Sequence, residues 1–230
     1  MALLLNIDTA TEHASVCLSE NDIILTIEES HDQKNHGSFL QPAIQKMVSN
    51  SNIQLPAIDA IAVTIGPGSY TGLRVGLASA KGLCFALNKP LIVVNTLEVI
   101  ACASIKAMKQ NNHSIDDFLF CPLIDARRME VFTAIYTKKL KPVIEPAAMI
   151  ITENSFSEFK NNKIVFSGSG HNKVKNIINN KNFIFLSSQH NASHLSVIAQ
   201  QQFDNKQFAN LAYCEPLYLK EFFNTQSKKQ

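Results

Sequence analysis

The sequence predicts an α/β protein made of two similar lobes, each a mixed sheet with flanking helices, and three observations carry that expectation. The apolar runs switch between period two and period 3.6 in the same order twice along the chain. The first strand-like run of each half ends in Ile-Asp, at Ile7-Asp8 and Ile124-Asp125. The fourth ends in a glycine pair, Gly66-Pro67-Gly68 in one half and Gly168-Ser169-Gly170 in the other. A chain of 230 residues suits two compact lobes, each of about 100 residues. The expected boundary gives halves 1–105 and 106–230, with the last segment free to pack back on the first lobe.

In the first half, residues 2–8, 13–19 and 22–29 are short apolar or alternating runs divided by polar clusters, which predicts three consecutive strands. The period then lengthens. Ser38-Phe39-Leu40-Gln41 has the form of a capping box, and Leu40, Ile44, Met47 and Val48 share one face of a helix over 38–49. Pro42 falls early enough for the first turn. A buried strand follows at 60–65, a helix at 70–87, a strand at 91–94 and a helix at 96–109. The second half reads as strands at 118–124, 130–137 and 147–152, a helix near 154–160, a strand at 163–167, a helix at 172–179, a strand at 183–187 and a helix at 193–203. Both halves are βββαβαβα. That is the expectation for a duplicated actin-like, or ribonuclease-H-like, fold whose lobes face each other across a cleft.

Strand-end carboxylates and helix-opening glycines converge on such a cleft, where they suit a magnesium nucleotide. Asp8 and Asp125 would hold metal-bound water, and backbone N–H groups around Gly168 and Gly170 would donate to phosphate oxygens. An Asp just past a strand also makes a plain Asx turn, so both readings stay open.

Composition excludes several other classes. With 46% hydrophobic and 17% charged residues the chain can bury a core, unlike disordered or fibrous sequences. No uncharged apolar stretch reaches the roughly 18 residues that span a bilayer. The first basic residue is Lys34, so no secretory signal is expected and the protein is placed in the cytoplasm, with no membrane partner. Cys17, Cys84, Cys102, Cys121 and Cys214 form no Cys-x-x-Cys pair and suit buried, reduced thiols. The formal charge of +2 hides an asymmetry: residues 1–105 hold five basic and nine acidic groups, residues 106–230 sixteen and ten. The second half is therefore the one that could attract an anionic partner.

Five of the eight glycines lie between Gly66 and Gly82. The segment is neither a P-loop nor a dinucleotide fingerprint. Gly72, Gly76 and Ala80 recur every four residues on one helical face, which is either an internal packing surface or a subunit interface. Together with Leu5-Asn-Ile-Asp-Thr-Ala10, the segment Gly66-Pro-Gly-Ser-Tyr-Thr-Gly-Leu-Arg-Val-Gly76, Asp125-Ala-Arg-Arg-Met-Glu-Val-Phe132 and Pro216-Leu-Tyr-Leu-Lys220 resemble the TsaB (YeaZ) family in order along nearly the whole chain. The resemblance implies an actin-like fold and a part in making threonylcarbamoyladenosine in tRNA. It implies direct binding to TsaD, the paralogous transferase subunit, and contact through the complex with the ATPase TsaE, with tRNA as the complex's substrate.

It also implies a supporting role. TsaD-like proteins carry His-x-x-x-His on the helix after the fifth strand, where this chain has Thr96-Leu97-Glu98-Val99-Ile100. Actin-like ATPases carry glycine after each cleft aspartate, whereas Asp8 is followed by Thr9-Ala10 and Asp125 by Ala126-Arg127-Arg128. No catalytic residue and no metal site are expected, and no cofactor is required by this chain; ATP or ADP with magnesium is left to the complex, with Asp8, Asp125, Gly168 and Gly170 a vestigial nucleotide site. The stripe of Leu40, Ile44 and Met47 with the flat face of Gly72, Gly76 and Ala80 is expected to pack on TsaD as a four-helix contact, and to form a homodimer when TsaD is absent. Competing readings are an independent actin-like ATPase or small-molecule kinase, and a peptidase, for which Ser69 has no visible base. His190 and His194 are expected at a helix start, without a shared face. Arg127, Arg128 and Glu130 either close a hairpin or meet a partner or anion.

Overall fold

The computed structural model describes residues 2–21, 23–32, 36–111 and 114–220. The first lobe runs β1 (Leu3–Asp8), β2 (Ala14–Glu20), β3 (Ile23–Ser30), α1 (His36–Ser51), β4 (Ala60–Gly66), α2 (Tyr70–Leu87), β5 (Leu91–Asn95) and α3 (Thr96–Gln110). The second runs β6 (Phe118–Asp125), β7 (Glu130–Tyr136), β8 (Pro142–Ile150), β9 (Lys163–Ser167), α4 (His171–Lys175), β10 (Phe183–Leu186) and α5 (Ala192–Asp204). Each sheet has five strands, in the orders β3-β2-β1-β4-β5 and β8-β7-β6-β9-β10. β1 and β6 play the same part: each is antiparallel to the next strand in sequence and parallel to β4 or β9. The fold is the duplicated actin-like one.

The central strands are apolar on both faces because helices cover both faces. On one side of the first sheet, Leu40, Ala43, Ile44 and Met47 of α1 and Leu77, Ala80 and Cys84 of α2 pack on Leu5, Ile7, Ile61 and Val63. Each large aliphatic side chain buried this way contributes about 1.5–3 kcal/mol. The other side is covered by a helix from the far end of the chain. Leu195, Ile198 and Ala199 of α5 seal Leu4, Ala60, Ala62, Ile92 and Val94. α3 is shared in the opposite sense: Val99 and Cys102 join that first-sheet cluster, while Leu97, Ile100, Ile105 and Met108 pack on Phe120, Ile124, Ala134 and Val165 of the second sheet. The outer side of the second sheet closes around Phe166, ringed by Phe156, Phe183 and Phe185.

After α5 the chain returns along the first lobe. The Ala209 N–H donates to the Leu91 carbonyl at 2.8 Å, Lys81 Nζ to the Cys214 carbonyl at 3.1 Å, and the Leu217 N–H to the Ile65 carbonyl at 2.7 Å. None of the helices among the described residues is long and apolar enough to cross a membrane.

Four elements differ from the sequence expectation. α1 starts at His36, so Ser38 sits inside the first turn rather than at a capping box. The helix expected over 154–160 is a single 3-10 turn, Ser157–Phe159, since so short a segment has too few turns to hold itself. α4 stops at Lys175 instead of 179. β8 covers Pro142–Ile150 instead of 147–152; it is an edge strand, where prolines lacking an N–H are tolerated.

Candidate functional site

The lobes enclose a cleft of about 800 Å³, walled by residues 10–13 and 68–71 of the first lobe and by Asp125, Arg127, Gly168, Ser169 and residues 187–190 of the second. α2 begins at its edge: Ser69 is the N-cap, and its hydroxyl accepts from the Gly72 N–H at 3.3 Å. The duplicated strand ends therefore do arrive at one place. They arrive in different states.

Asp8 is 1% exposed and does not line the cavity. Its Oδ1 accepts from the Thr64 hydroxyl at 2.9 Å and from the Ala10 N–H at 3.2 Å. Its Oδ2 lies 3.5 Å from Nε2 of His190 and has no hydrogen-bond partner. His190 is itself buried, and the same Nε2 is 3.3 Å from the Thr11 hydroxyl. Burial holds the His190 pKa below the ordinary histidine value, against the upward pull of the Asp8 carboxylate. At neutral pH a neutral imidazole therefore plugs the space in front of Asp8. His190 was expected at a solvated helix start; it does precede the Asn191 N-cap of α5, but it turns inward.

Asp125 keeps 45% of its side chain exposed and does line the cleft. Lys173 of α4 places Nζ 2.8 Å from Oδ1, and the Arg127 N–H donates to the same oxygen at 2.6 Å. Partial burial pushes the Asp125 pKa up, but Lys173 and the Arg127 N–H outweigh it and hold the carboxyl below its ordinary value. Gly168 lies on the cavity wall with φ +87°, a conformation that favours glycine, and a Cβ there would meet the Leu123 carbonyl oxygen at 2.5 Å. Gly170 packs instead against Leu123 and Val131 of the sheet. Arg127 lines the cleft, whereas the Glu130 carboxylate turns to Lys220 at 2.6 Å.

This donor set does not fit a magnesium nucleotide. One carboxylate is sealed behind an imidazole and the other is already neutralised by an ammonium group. Among the described residues no cluster of three His, Cys, Asp or Glu side chains suits a metal ion.

The helix residues assigned to a partner need correction. Leu40, Ile44, Met47 and Ala80 are at most 4% exposed, and Gly72 and Gly76 are buried too. The flat glycine face packs inside the lobe, on the turn that follows β1. A Cβ on Gly72 would come within 2.0 Å of the Thr9 carbonyl oxygen, and one on Gly76 within 2.3 Å of the Thr9 hydroxyl. The approach is secured from both sides, because the Ser69 N–H donates to the Ala10 carbonyl at 2.7 Å and the Thr9 hydroxyl to the Gly72 carbonyl at 2.7 Å. The glycine signature thus exists to clasp the turn that carries Asp8. Periodicity identifies an apolar face but not what it faces. Thr64 and Lys173 were missed, and the contact of His190 with Asp8 was not foreseen, because each meets its carboxylate through the fold and no local motif marks the pairing.

Over residues 24–229 the chain matches the family model described as TsaD: tRNA N6-adenosine threonylcarbamoyltransferase. It is 28% identical over 227 residues to the tRNA threonylcarbamoyladenosine biosynthesis protein TsaB of Bacillus subtilis, covering 94% of this chain and 93% of that one. The chain belongs to the TsaB (YeaZ) family. The Escherichia coli TsaB is 35% identical over 135 residues, 59% of this chain and 55% of its own length. YeaZ from Pseudomonas aeruginosa superposes with a TM-score of 0.77 at 24% identity, covering 95% of this chain and all of that one, a likeness of fold.

Proposed function

We propose that this chain is the non-catalytic, stabilising subunit of a cytoplasmic assembly that makes threonylcarbamoyladenosine in tRNA, holding the paralogous transferase TsaD and reaching TsaE through it. Membership of a family whose relatives are named for this biosynthesis supports the pathway. The observation that carries the supporting role is at the start of α3. Where the transferase resemblance calls for a His-x-x-x-His pair, Thr96 and Ile100 are 0% and 1% exposed, packed between the lobes. Neither side chain offers an imidazole to a metal ion, although Ile100 borders the cleft.

With Leu40, Gly72 and their neighbours turned inward, the partner surface is the outer side of α2, where Ala78 and Gly82 are exposed and Phe85 is 82% exposed. A Cβ on Gly82 would meet nothing within 4 Å. The same outer side would pair two copies when TsaD is absent, and light scattering at micromolar concentration should then give a dimer. The paired Asp125 and enclosed Asp8 argue against an independent ATPase or kinase. The deciding experiment reconstitutes threonylcarbamoyl transfer to a tRNA transcript with TsaD and TsaE, with and without this chain. Transfer lost on omission is expected; full transfer without it would overturn the proposal.

A further inference from the structure

At the end of the second sheet opposite the cleft, the fold gathers lysines that the supporting role does not use. The β7–β8 hairpin supplies Lys138, Lys139 and Lys141, which line a groove of about 370 Å³ with Phe118, Asp116 and Asp117. Lys163 is paired with Phe118 in the β6–β9 register and holds Nζ 5.4 Å from the centre of its ring. Lys160 and Lys181 join them, because the side-chain amides of Asn180 and Asn182 both donate to the Lys160 carbonyl, at 2.9 and 3.1 Å, and the Ile164 N–H donates to the Asn182 carbonyl at 3.1 Å. Asp116 neutralises Lys138. Among the described residues, Lys139, Lys141, Lys160, Lys163 and Lys181 are exposed and have no acidic partner.

The duplication supplies an internal control. The corresponding end of the first sheet has Glu20 at the β2–β3 hairpin and Asp59 just before β4, with Lys89 before β5. The same architecture closes with acidic groups there, so packing of the sheet end does not call for lysine. A concentration of unpaired ammonium groups that folding does not need costs self-repulsion and suits a polyanion. The surface is concave, bordered by amide and hydroxyl groups, and includes an aromatic ring under a cation. A phosphodiester chain with bases fits this better than the flat headgroup plane of a membrane.

We propose that this lysine-lined sheet end contacts the phosphate backbone of RNA, giving the second lobe a part in seating the RNA substrate. The inference rests on the reading of the chain as a subunit of a tRNA-modifying assembly. The test compares the wild-type chain with Lys139→Ala/Lys141→Ala/Lys163→Ala, each assembled with TsaD and TsaE. Fluorescence anisotropy of a labelled tRNA transcript is followed from 50 to 300 mM salt. Losing three phosphate contacts should lower the slope of log Kd against log salt by about 2, with affinity at the lowest salt falling at least about tenfold. Lys89→Ala in the first lobe should leave both unchanged. An unchanged slope and affinity for a triple variant that melts like the wild type and still assembles would overturn the proposal. So would binding to phosphatidylglycerol vesicles that falls in the variant while tRNA binding does not. Loss of the assembly role is separately visible, as a wild-type chain that fails to bind TsaD.

Discussion

Asp8 and Asp125 close the first strand of their lobes at equivalent positions, yet one is 1% exposed and the other keeps 45% of its side chain in the cleft. The difference comes from what the rest of the chain brings to each. The turn after β1 is clasped by the glycine face of α2, and the segment before α5 crosses from the second half to set His190 against Asp8 and the Ala192 N–H on the Ser15 hydroxyl at 2.8 Å. Among the described residues no helix returns over the turn after β6, whose carboxylate meets the Arg127 N–H and Lys173 of the short α4. A duplicated scaffold has thus turned one strand-end carboxylate into a structural group and left the other at the surface. A two-carboxylate clamp on magnesium needs both.

The largest way to break this asymmetry is through the clasp. Gly76→Leu must push α2 away from Thr9 and is expected to cost about 3 kcal/mol or more, whereas Gly82→Leu on the open side should stay within about 1 kcal/mol of the wild type. Urea midpoints of the two variants give the comparison; equal midpoints would refute the inward placement. Next, Asp8→Ala strips the partners from the Thr64 hydroxyl and the Ala10 N–H and should cost about 3 kcal/mol. The matched Asp125→Ala removes an exposed pair and should cost under about 1 kcal/mol.

Acid should act on the closed lobe before the open one. Burial pushes the His194 pKa down to about 4 from its ordinary 6.5, and His190 is depressed as well. His194 Nδ1 sits 3.2 Å from the Asn191 N–H and 2.9 Å from the Asn191 Oδ1, so the ring is held within the buried start of α5. The unfolded chain protonates His194 near pH 6.5 and the folded chain only near pH 4, so the stability this contributes is intact above that window and is lost as pH falls through it. Thermal melts from pH 7.5 to 4.5 should show the decline, and His194→Gln should flatten it. A wild-type curve level across that range would contradict the burial of α5. The smallest effect belongs to Lys173→Ala, which should raise the Asp125 pKa by NMR titration and change stability by less than about 1 kcal/mol.

Most elements and the duplication were legible because Ile7-Asp8, Ile124-Asp125 and the two glycine pairs mark strand ends locally. β8 was read short because Pro142 and Pro146 argue against a strand unless it is known to be an edge. The orientation of the helix faces was not legible, since an apolar stripe such as Leu40, Ile44 and Met47 satisfies an interior and an interface equally well. The Asp8 enclosure was hidden for a topological reason: Thr11 and His190 lie 179 residues apart, and only the return of α5 brings them together.

That return also governs the order in which the molecule can be made. During synthesis the first sheet emerges early, but one of its faces, with Leu4, Ala62 and Ile92, waits for Leu195 and Ile198 near the end of the chain. A nascent chain halted at the lobe boundary therefore displays an apolar sheet face only partly covered by Val99 and Cys102 of α3, which invites chaperones or aggregation. The first sheet is covered on both sides only once α5 has left the ribosome.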